Sequence, residues 1–594
     1  MARLVAEGEV REVEVEVDAE LEVAEIHRRV IAAGGPALSF RRVRGAAFPL
    51  VTNLFGTARR LELAFGTRPE ALVERAARAA RELLPPTPRR LFAERGLLLD
   101  LARTGLKRRL AARRRGTVTE ILERPAALER LPALKTWPRD GGRFLTLPLV
   151  HTVHPENGVP NLGIYRGQLF GADELGVHTQ IAKGGGFHLA AAERLGRALP
   201  VNVYLGGPPA LMLAAIAPLP ENVPELLLAS AVLGRKLELA TNPAGPLPVV
   251  ASAEMCLVGR IEPGARRPEG PFGDHYGFYS EVHDYPWMKV DALLRRPDAI
   301  FPATVVGKPR QEDFFLGDYL QRLLSPLFPL VMPGVRDLWS YGETGYHSLA
   351  AAVVEERYAR EALVSGFRIL GEGQLALTKF LLLTDAPIDL GDFPRVLRHV
   401  LERADFRTDL FVFANLSMDS LDYAGPRIHE GSKGLLVGTG EPRRALPTEF
   451  TGAPSSGVRA VRVFTSGCLV VDGEPFDAAG DFPARVARDS AFADWPLVVL
   501  ADDAERTARS SMNFLWSVFT RFAPATDLSA RSVQLVANHP SFTPPVVLDA
   551  RAKPGYPEEL SCDPDTARLV ERRWKEYFPS GRVEMGDSER AHLD

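Results

Sequence analysis

Apolar positions along the first third of the chain recur with two different periods. Over residues 22–33 they return every three to four positions, which predicts an amphipathic helix, and Gly34-Gly35-Pro36 supplies its stop. Strand-like stretches follow at 37–43 and 48–53, and an Arg/Glu-laced helix is predicted over 69–84. Asn53-Leu54-Phe55-Gly56-Thr57, with Arg59 and Arg60 just beyond, is a strand-to-helix turn. It reads as a helix cap, with an anion site as the alternative.

From about residue 125 the pattern changes. Residues 144–153 alternate as a strand, Glu156-Asn157-Gly158 is a hairpin signal, and 161–169 returns as the next strand. Further strands are predicted at 200–205 and 248–261, with helices at 209–217 and 225–239 between them. Short strands joined by Gly/Pro turns suggest a barrel with inserted helices. Residues 310–450 return to α/β, with a strand at 380–384, a helix at 392–403 and a strand at 410–414. Beyond about 458 the same grammar recurs, as a strand at 496–501, a helix at 512–522 and a strand at 532–537. Phe522-Ala523-Pro524-Ala525-Thr526-Asp527-Leu528 echoes Phe406-Arg407-Thr408-Asp409-Leu410. An internal duplication accounts for this; chance recurrence of a common α/β grammar is the alternative.

Composition narrows the class. At 594 residues the chain is too long for one core, so three or four domains are expected. Its 46% hydrophobic and 25% charged residues are those of a globular protein. A net charge of −3 argues against nucleic acid as the main partner. The basic stretch 106–115, closed by Arg113-Arg114-Arg115, reads as a solvated helix face. Cys256, Cys468 and Cys562 lie far apart without a CxxC, which suggests neither a disulfide framework nor a zinc site. Residues 1–18 are charged and alternating, and no run of eighteen apolar residues follows, so no transmembrane segment and a cytoplasmic location are expected.

The chemistry concentrates in Glu269-Gly270-Pro271-Phe272-Gly273-Asp274-His275. On a straight strand residues five apart point to opposite faces, but Gly270-Pro271 and Gly273 let a turn bring both carboxylates to one side. Two acids held close in a partly buried site do not ionise equally, so one is expected to keep a proton near neutral pH, as a proton donor must. Taken alone, the same string also describes a surface turn of solvated acids.

Further motifs decide between these readings. Trp137-Pro138-Arg139-Asp140-Gly141-Gly142, Asn161-Leu162-Gly163-Ile164-Tyr165-Arg166, Ala251-Ser252-Ala253-Glu254 and the Glu269–Asp274 string occur in that order. Leu377-Thr378-Lys379-Phe380 and Gly431-Ser432-Lys433-Gly434 follow. Together they resemble the UbiD family of reversible decarboxylases that use prenylated FMN. The resemblance implies an α+β fold: an N-terminal α/β domain (1–120), a central split β-barrel like that of flavin reductases (121–310), and a C-terminal α/β domain (311–455). An additional α/β region would occupy 456–594.

Carried over residue by residue, the resemblance makes Arg166, Glu269 and Asp274 catalytic. Asp274 would protonate carbon after CO2 leaves, while Glu269 pairs with Arg166 and tunes it. Asn161, Ile164, Tyr165, Arg166, His178, Thr179, Gln180, Lys183, Gly184 and Lys433 fall where the family contacts its flavin. Asn161 and Glu225 match ligands of a divalent ion, Mn2+ or Mg2+, that bridges the flavin phosphate to the protein, with K+ a further candidate. Ala182 departs from relatives that place a ligating histidine there. His178, His188, or phosphate and water could complete the shell instead. A UbiX-type flavin prenyltransferase is the implied cofactor supplier, and a homo-oligomer, dimer or hexamer, the implied state. The implied substrate is a small aromatic carboxylate. Length and pattern favour a quinone precursor, ubiquinone- or menaquinone-type, over a phenolic or heteroaromatic acid outside quinone synthesis. A non-catalytic subunit of a carboxylase assembly is the remaining alternative.

Overall fold

The computed structural model describes residues 1–82, 87–93, 95–109, 115–179, 184–219, 223–308 and 310–588. The described residues form two compact units, one of 1–323 with 559–588 and one of 324–558.

In the first unit, helix Glu22–Ala32 buries Val23, Ile26 and Val30 against Leu38, Phe40 and Leu50. Its end is the predicted glycine stop: Gly34 is left-handed (φ +64°), and Gly35 N–H donates to the Val30 carbonyl. The strands beneath run in the order Val10–Val13, Ala37–Phe40, Leu50–Thr52, Phe301–Pro302. Helix Ala58–Phe65 begins where Thr57 Oγ1 accepts the Arg60 N–H at 3.2 Å. Arg59 pairs with Glu7 and Glu62, and Arg60 donates to the Gly35 carbonyl. The 53–57 turn is therefore a cap, and both arginines have protein partners.

An eight-stranded sheet follows. Its path is Glu174–Gly176, His283–Arg295, Met255–Ile261, Leu199–Leu205, Pro148–Val153, Pro160–Ile164, while Arg266–Glu269 and Ile121–Glu123 pair onto His283–Arg295. The hairpin predicted at 156–158 joins Pro148–Val153 to Pro160–Ile164. A bulge at Val258/Gly259 bends the sheet where a Cβ on Gly259 would overlap the Lys289 carbonyl. Among the described residues strand pairing does not close a barrel. The two end strands, three and five residues long, form no ladder with each other.

Two local expectations need correction. The helix predicted over 225–239 ends at Leu233, because Gly234 at φ +67° terminates it. Leu237–Ala240 is a strand instead, pairing in parallel with Leu106–Arg109. The start of the basic stretch expected on a helix is thus a strand, and residues 110–114 lie outside the described residues. The strand predicted over 248–261 is two, Val249–Val250 and Met255–Ile261, with a turn between them.

The end of the chain returns to this first unit. Helix Pro564–Tyr577, capped by Asp563, packs on helix Glu22–Ala32. Glu22 receives Arg573 and the Tyr577 hydroxyl, and buried Glu25 receives Arg28 (3.0 Å), Arg29 (2.8 Å) and the Ser588 hydroxyl (2.6 Å).

The second unit holds two five-stranded sheets with one topology. The first runs Val335–Ser340, Leu349–Val354, Phe380–Thr384, Glu430–Gly438, Leu410–Ser417. The second runs Val458–Thr465, Cys468–Gly473, Leu497–Leu500, His539–Asp549, Leu528–Val536. In each, both outer pairings are antiparallel and both inner ones parallel. The echoed sequence makes the same turn twice. Asp409 accepts the Asp405 N–H (2.8 Å) and the Thr408 hydroxyl; Asp527 accepts the Ala523 N–H (2.7 Å) and the Thr526 hydroxyl. Phe393 meets Phe464 and Phe514 in a core shared by both sheets. Among the described residues no helix is long and apolar enough to cross a membrane.

The Glu25 cluster carries a stability prediction. Burial alone would push its carboxyl up, but Arg28, Ser588 and Arg29 overcome this and hold it down to about 2. A depressed carboxyl stabilises the fold above its unfolded value and loses that contribution as pH falls through its folded value. Glu25→Gln should therefore cost about 3 kcal/mol at neutral pH, with the deficit shrinking below pH ~4 and gone near pH ~2. Urea unfolding across that range measures it, and a deficit independent of pH would refute this account.

Candidate active site

Arg166 lies two residues past the end of strand Pro160–Ile164, and Glu269 closes strand Arg266–Glu269. The chain then turns through Gly270, at φ +103°, and reverses so that Gly273 bridges Tyr279. The turn between carries Asp274. Its N–H donates to the Phe278 carbonyl (3.1 Å), its carbonyl accepts Gly277 N–H (2.9 Å), and Gly277 is left-handed. Both acids thereby face one guanidinium. Arg166 Nε donates to Glu269 Oε1 (2.9 Å), Nη2 to Glu269 Oε2 (3.4 Å) and to Ser280 Oγ (3.2 Å), and Nη1 to Asp274 Oδ2. The Phe272 ring lies 4.7 Å from the guanidinium carbon. Exposure of the three side chains is 9%, 1% and 11% for Arg166, Glu269 and Asp274, so these pairs are largely shielded from solvent.

Each acid also has a histidine. His178 Nδ1 is 2.6 Å from Glu269 Oε2, and His275 Nδ1 is 2.6 Å from Asp274 Oδ1. Burial and the Arg166 charge push the His178 imidazole down despite Glu269, which favours a neutral ring donating to that acid. The expected inequality between the acids is not what the structure shows. Burial would raise both carboxyls, but it is outweighed at Glu269 by Arg166 and His178, and at Asp274 by His275 and Arg166. Both sit below the ordinary carboxylate range, so Asp274 rests ionised. The expectation weighed the two carboxylates against each other alone; Arg166, which the family resemblance had already set beside them, lowers both.

The Trp137–Gly142 motif holds this turn from behind. Asp140 accepts Gly273 N–H (2.7 Å) through Oδ1, and Thr136 N–H, Trp137 N–H and the Thr136 hydroxyl through Oδ2. Gly141 N–H donates to the Pro271 carbonyl (2.8 Å), and Gln168 bridges Gly141 O to Gly270 N–H. Close approach requires glycine here: a Cβ on Gly141 would overlap the Gly270 carbonyl, and one on Gly273 the Trp137 ring. Trp137 in turn lies under the Arg28 guanidinium (4.3 Å) and donates to Val306 O (2.8 Å).

A second cluster gathers Asn161, Tyr165, Gly184 and Glu225. Leu162 N–H donates to Glu225 Oε2 (2.9 Å), and Gly185 N–H to the Tyr165 hydroxyl (3.2 Å). A Cβ on Gly184 would overlap Asn161 Oδ1, and Asn161 Nδ2 is buried without a hydrogen-bond partner. Burial raises the Glu225 carboxyl, opposed by its own N–H and that of Leu162. Ile164 is half-buried and packs into the same apolar core as Leu162. Thr179 is buried beside His178, while Gln180 and Lys183 lie outside the described residues. His188 Nδ1 faces Thr152 Oγ1 (2.8 Å). Among the described residues no three His, Cys, Asp or Glu side chains form a metal-holding group. Lys433 belongs to the second unit. Its ammonium donates to the carbonyls of Ala376 (2.7 Å) and Thr378 (2.8 Å), and burial lowers it to about 8 despite Asp422.

Three sequence models match in this order: the 3-octaprenyl-4-hydroxybenzoate carboxy-lyase N-terminal domain over 1–80, the Rift-related domain over 109–309 and the C-terminal domain over 314–437. A protein of Chlamydia trachomatis is 48% identical over 97% of this chain and 98% of its own length. The chain belongs to the UbiD family. It is a carboxy-lyase of that family. A Chlamydia pneumoniae relative, named as one of the subunits of a 4-hydroxybenzoate decarboxylase, is 48% identical over 95% of each chain. Among solved UbiD-class structures, HmfF from Pelotomaculum thermopropionicum in complex with FMN matches with a TM-score of 0.61 at 25% identity, covering 75% of this chain and 94% of that one. Vanillic acid decarboxylase from Sedimentibacter hydroxybenzoicus, in closed form, shares the fold with a TM-score of 0.65 at 22% identity over 75% and 94%.

Four participants had no role in the sequence reading: Ser280, Asp140 as an N–H acceptor, His178 as the partner of Glu269, and His275. His275 adjoins Asp274 and Asp140 sits inside a noted motif, so both were within reach; nothing local marks Ser280. The glycine argument is testable. Gly273→Ala must displace buried Trp137 and should cost about 1–3 kcal/mol by overpacking, with a shift in tryptophan emission. Unchanged stability and emission would show that the close approach is not required.

Proposed function

We propose that this chain catalyses the non-oxidative, reversible decarboxylation of a small aromatic carboxylic acid with prenylated FMN. The observation that carries the reading is the intact clamp, with Arg166 held between Glu269 and Asp274. Arg166 would draw the substrate carboxylate through its permanent charge and the one Nη1 N–H that Glu269, Asp274 and Ser280 leave uncommitted. Glu269, fixed by His178, holds the fork in orientation. Asp274 faces the same edge and would hand a proton to the ring carbon that loses CO2. The bound flavin would supply the electron sink for the departing carboxylate.

The second cluster fits the phosphate end of such a cofactor. Asn161 is half-buried with its Nδ2 shielded from water, helix Gly184–Arg194 begins against it, and Glu225 adds a hard oxygen for a cation. We place Mn2+ or Mg2+ at Asn161 and Glu225 on this donor chemistry. FMN in the HmfF complex supports the flavin, and the name of the Chlamydia pneumoniae relative supports a phenolic ring acid. The finer reading is a hydroxylated aromatic acid on the way to a quinone, with a phenolic acid outside that route as the alternative.

The test is co-expression with a UbiX-type flavin prenyltransferase in the presence of Mn2+, followed by intact cofactor mass, absorbance and CO2 release from 4-hydroxybenzoate and its dihydroxy and naphthoic analogues. Bound prenylated FMN and turnover are expected. Arg166→Lys should retain the flavin and lower kcat on the order of 10²–10³-fold, the usual cost of one preorganised donor. A folded protein that binds no flavin and releases no CO2 would point to a non-catalytic subunit instead.

A further inference from the structure

Asp274 rests ionised under Arg166, and an ionised carboxylate has no proton to give. The clamp of Arg166, Glu269 and Asp274 also sums to one negative charge, a poor receptor for an anionic substrate in a shielded site. A proton and a positive charge are both wanting at the same place. His275 lies there. Its Nδ1 is 2.6 Å from Asp274 Oδ1, on the carboxylate oxygen that Arg166 does not take. Its N–H donates to the same oxygen at 2.7 Å, which fixes the carboxylate plane. Its side chain is 30% exposed, against 11% for Asp274, so it is the member of the pair that can exchange with water.

The groups facing His275 suit an imidazolium. Asp274 is in contact, Arg166 lies beyond Asp274, and the Tyr276 ring meets the imidazole edge-on at 5.2 Å. Asp313, in the first turn of helix Glu312–Leu324, lies within electrostatic reach of both His275 and Asp274. Its Oδ1 is buried without a hydrogen-bond partner, and burial pushes its carboxyl up to about 6, opposed by His275. At neutral pH Asp313 is therefore largely a second carboxylate within electrostatic reach of the ring.

We propose that His275 is the proton carrier for Asp274, acting through it and never touching the substrate, with half-buried Asp313 as the counter-charge. This rests on the proposed decarboxylase function. The imidazolium Nδ1–H bond breaks as the Asp274 O–H bond forms. That O–H bond then breaks as carbon takes the proton, using the electron pair left by the C–C bond to CO2. Neutral His275 recovers its proton from water.

Three variants of the flavin-loaded, full-length enzyme test this. His275→Ala should lower kcat on the order of 10²-fold or more, as loss of a general acid–base group does, with KM within about threefold and flavin content unchanged. Added imidazole should restore at least about tenfold of that loss by occupying the vacated space. His275→Gln keeps a donor to Asp274 but cannot carry a proton, so it should be as slow as His275→Ala and resist rescue. His275→Gln with wild-type kcat would reduce His275 to a hydrogen-bonding prop and overturn the proposal. A readout that needs no cofactor separates this from the function itself. Nitrogen NMR of the apo-protein should show both His275 ring nitrogens protonated at neutral pH, with fewer protonated in Asp313→Asn. A neutral His275 in the wild-type apo-protein overturns the carrier even where decarboxylation is observed. A wild-type enzyme that binds flavin yet never releases CO2 overturns the functional reading and the carrier with it.

Discussion

One guanidinium shared by two shielded carboxylates is the constraint on which the rest of the site depends. Arg166 is planar, always charged and able to donate in fixed directions, so Glu269 and Asp274 must each be delivered to a defined edge of it. The two acids flank one chain reversal and the arginine sits just past strand Pro160–Ile164, 103 and 108 residues away in sequence. Bringing them together requires a chain reversal between Glu269 and Asp274, and that reversal has little room. Gly141 against the Gly270 carbonyl and Gly273 against Trp137 are contacts that any side chain would prevent. An aspartate reaches one methylene less far than a glutamate. Its backbone must make up the difference, and the Asp274–Phe278 turn with left-handed Gly277 does so.

The support for that turn extends to the far end of the chain. Leu560 N–H donates to the Gly277 carbonyl (3.0 Å), Glu559 bridges Phe278, and Leu560 and Cys562 are buried with Trp137 and Tyr279. Arg28 stacks on Trp137 and pairs with Glu25, which also receives Ser588. Residues 559–588 thus close around the Trp137 loop and the Asp274 turn within one unit. The Chlamydia relatives match nearly this whole length, whereas the solved UbiD-class structures cover three quarters of it.

Much of this was legible in the sequence because it is local. Helix 22–33, its glycine stop, the Thr57 cap and the 156–158 hairpin each depend on a few neighbouring residues. The echo of 406–410 in 522–528 was legible for the same reason: an Asp that accepts an N–H four residues earlier makes the same turn wherever its sequence recurs. The failures are of two kinds. Residues 237–239 continue an apolar helical pattern that only Gly234 interrupts, and the strand they form is decided by a partner 131 residues away. The protonation of Asp274 failed differently. Two close carboxylates do divide their pKa values when nothing stands between them. The rule inverts when a cation does: the family resemblance had brought Arg166 to these acids, but the two carboxylates were weighed without its charge.

On the proposed reaction, that inversion bears on how the site would work in both directions. A guanidinium that grips the substrate carboxylate must also depress the acid beside it, since both effects come from the same field at the same distance. Strong substrate binding and a ready proton therefore conflict if Asp274 stands alone. The conflict is relieved only when a further group can change charge as the reaction proceeds, holding a proton while the carboxylate is present and yielding it as neutral CO2 departs. The requirement is symmetric. Run toward carboxylation, the proton taken from the ring must leave Asp274 before the new carboxylate can settle on Arg166. As proposed, His275 at the water-facing side of Asp274 would serve both directions with one side chain.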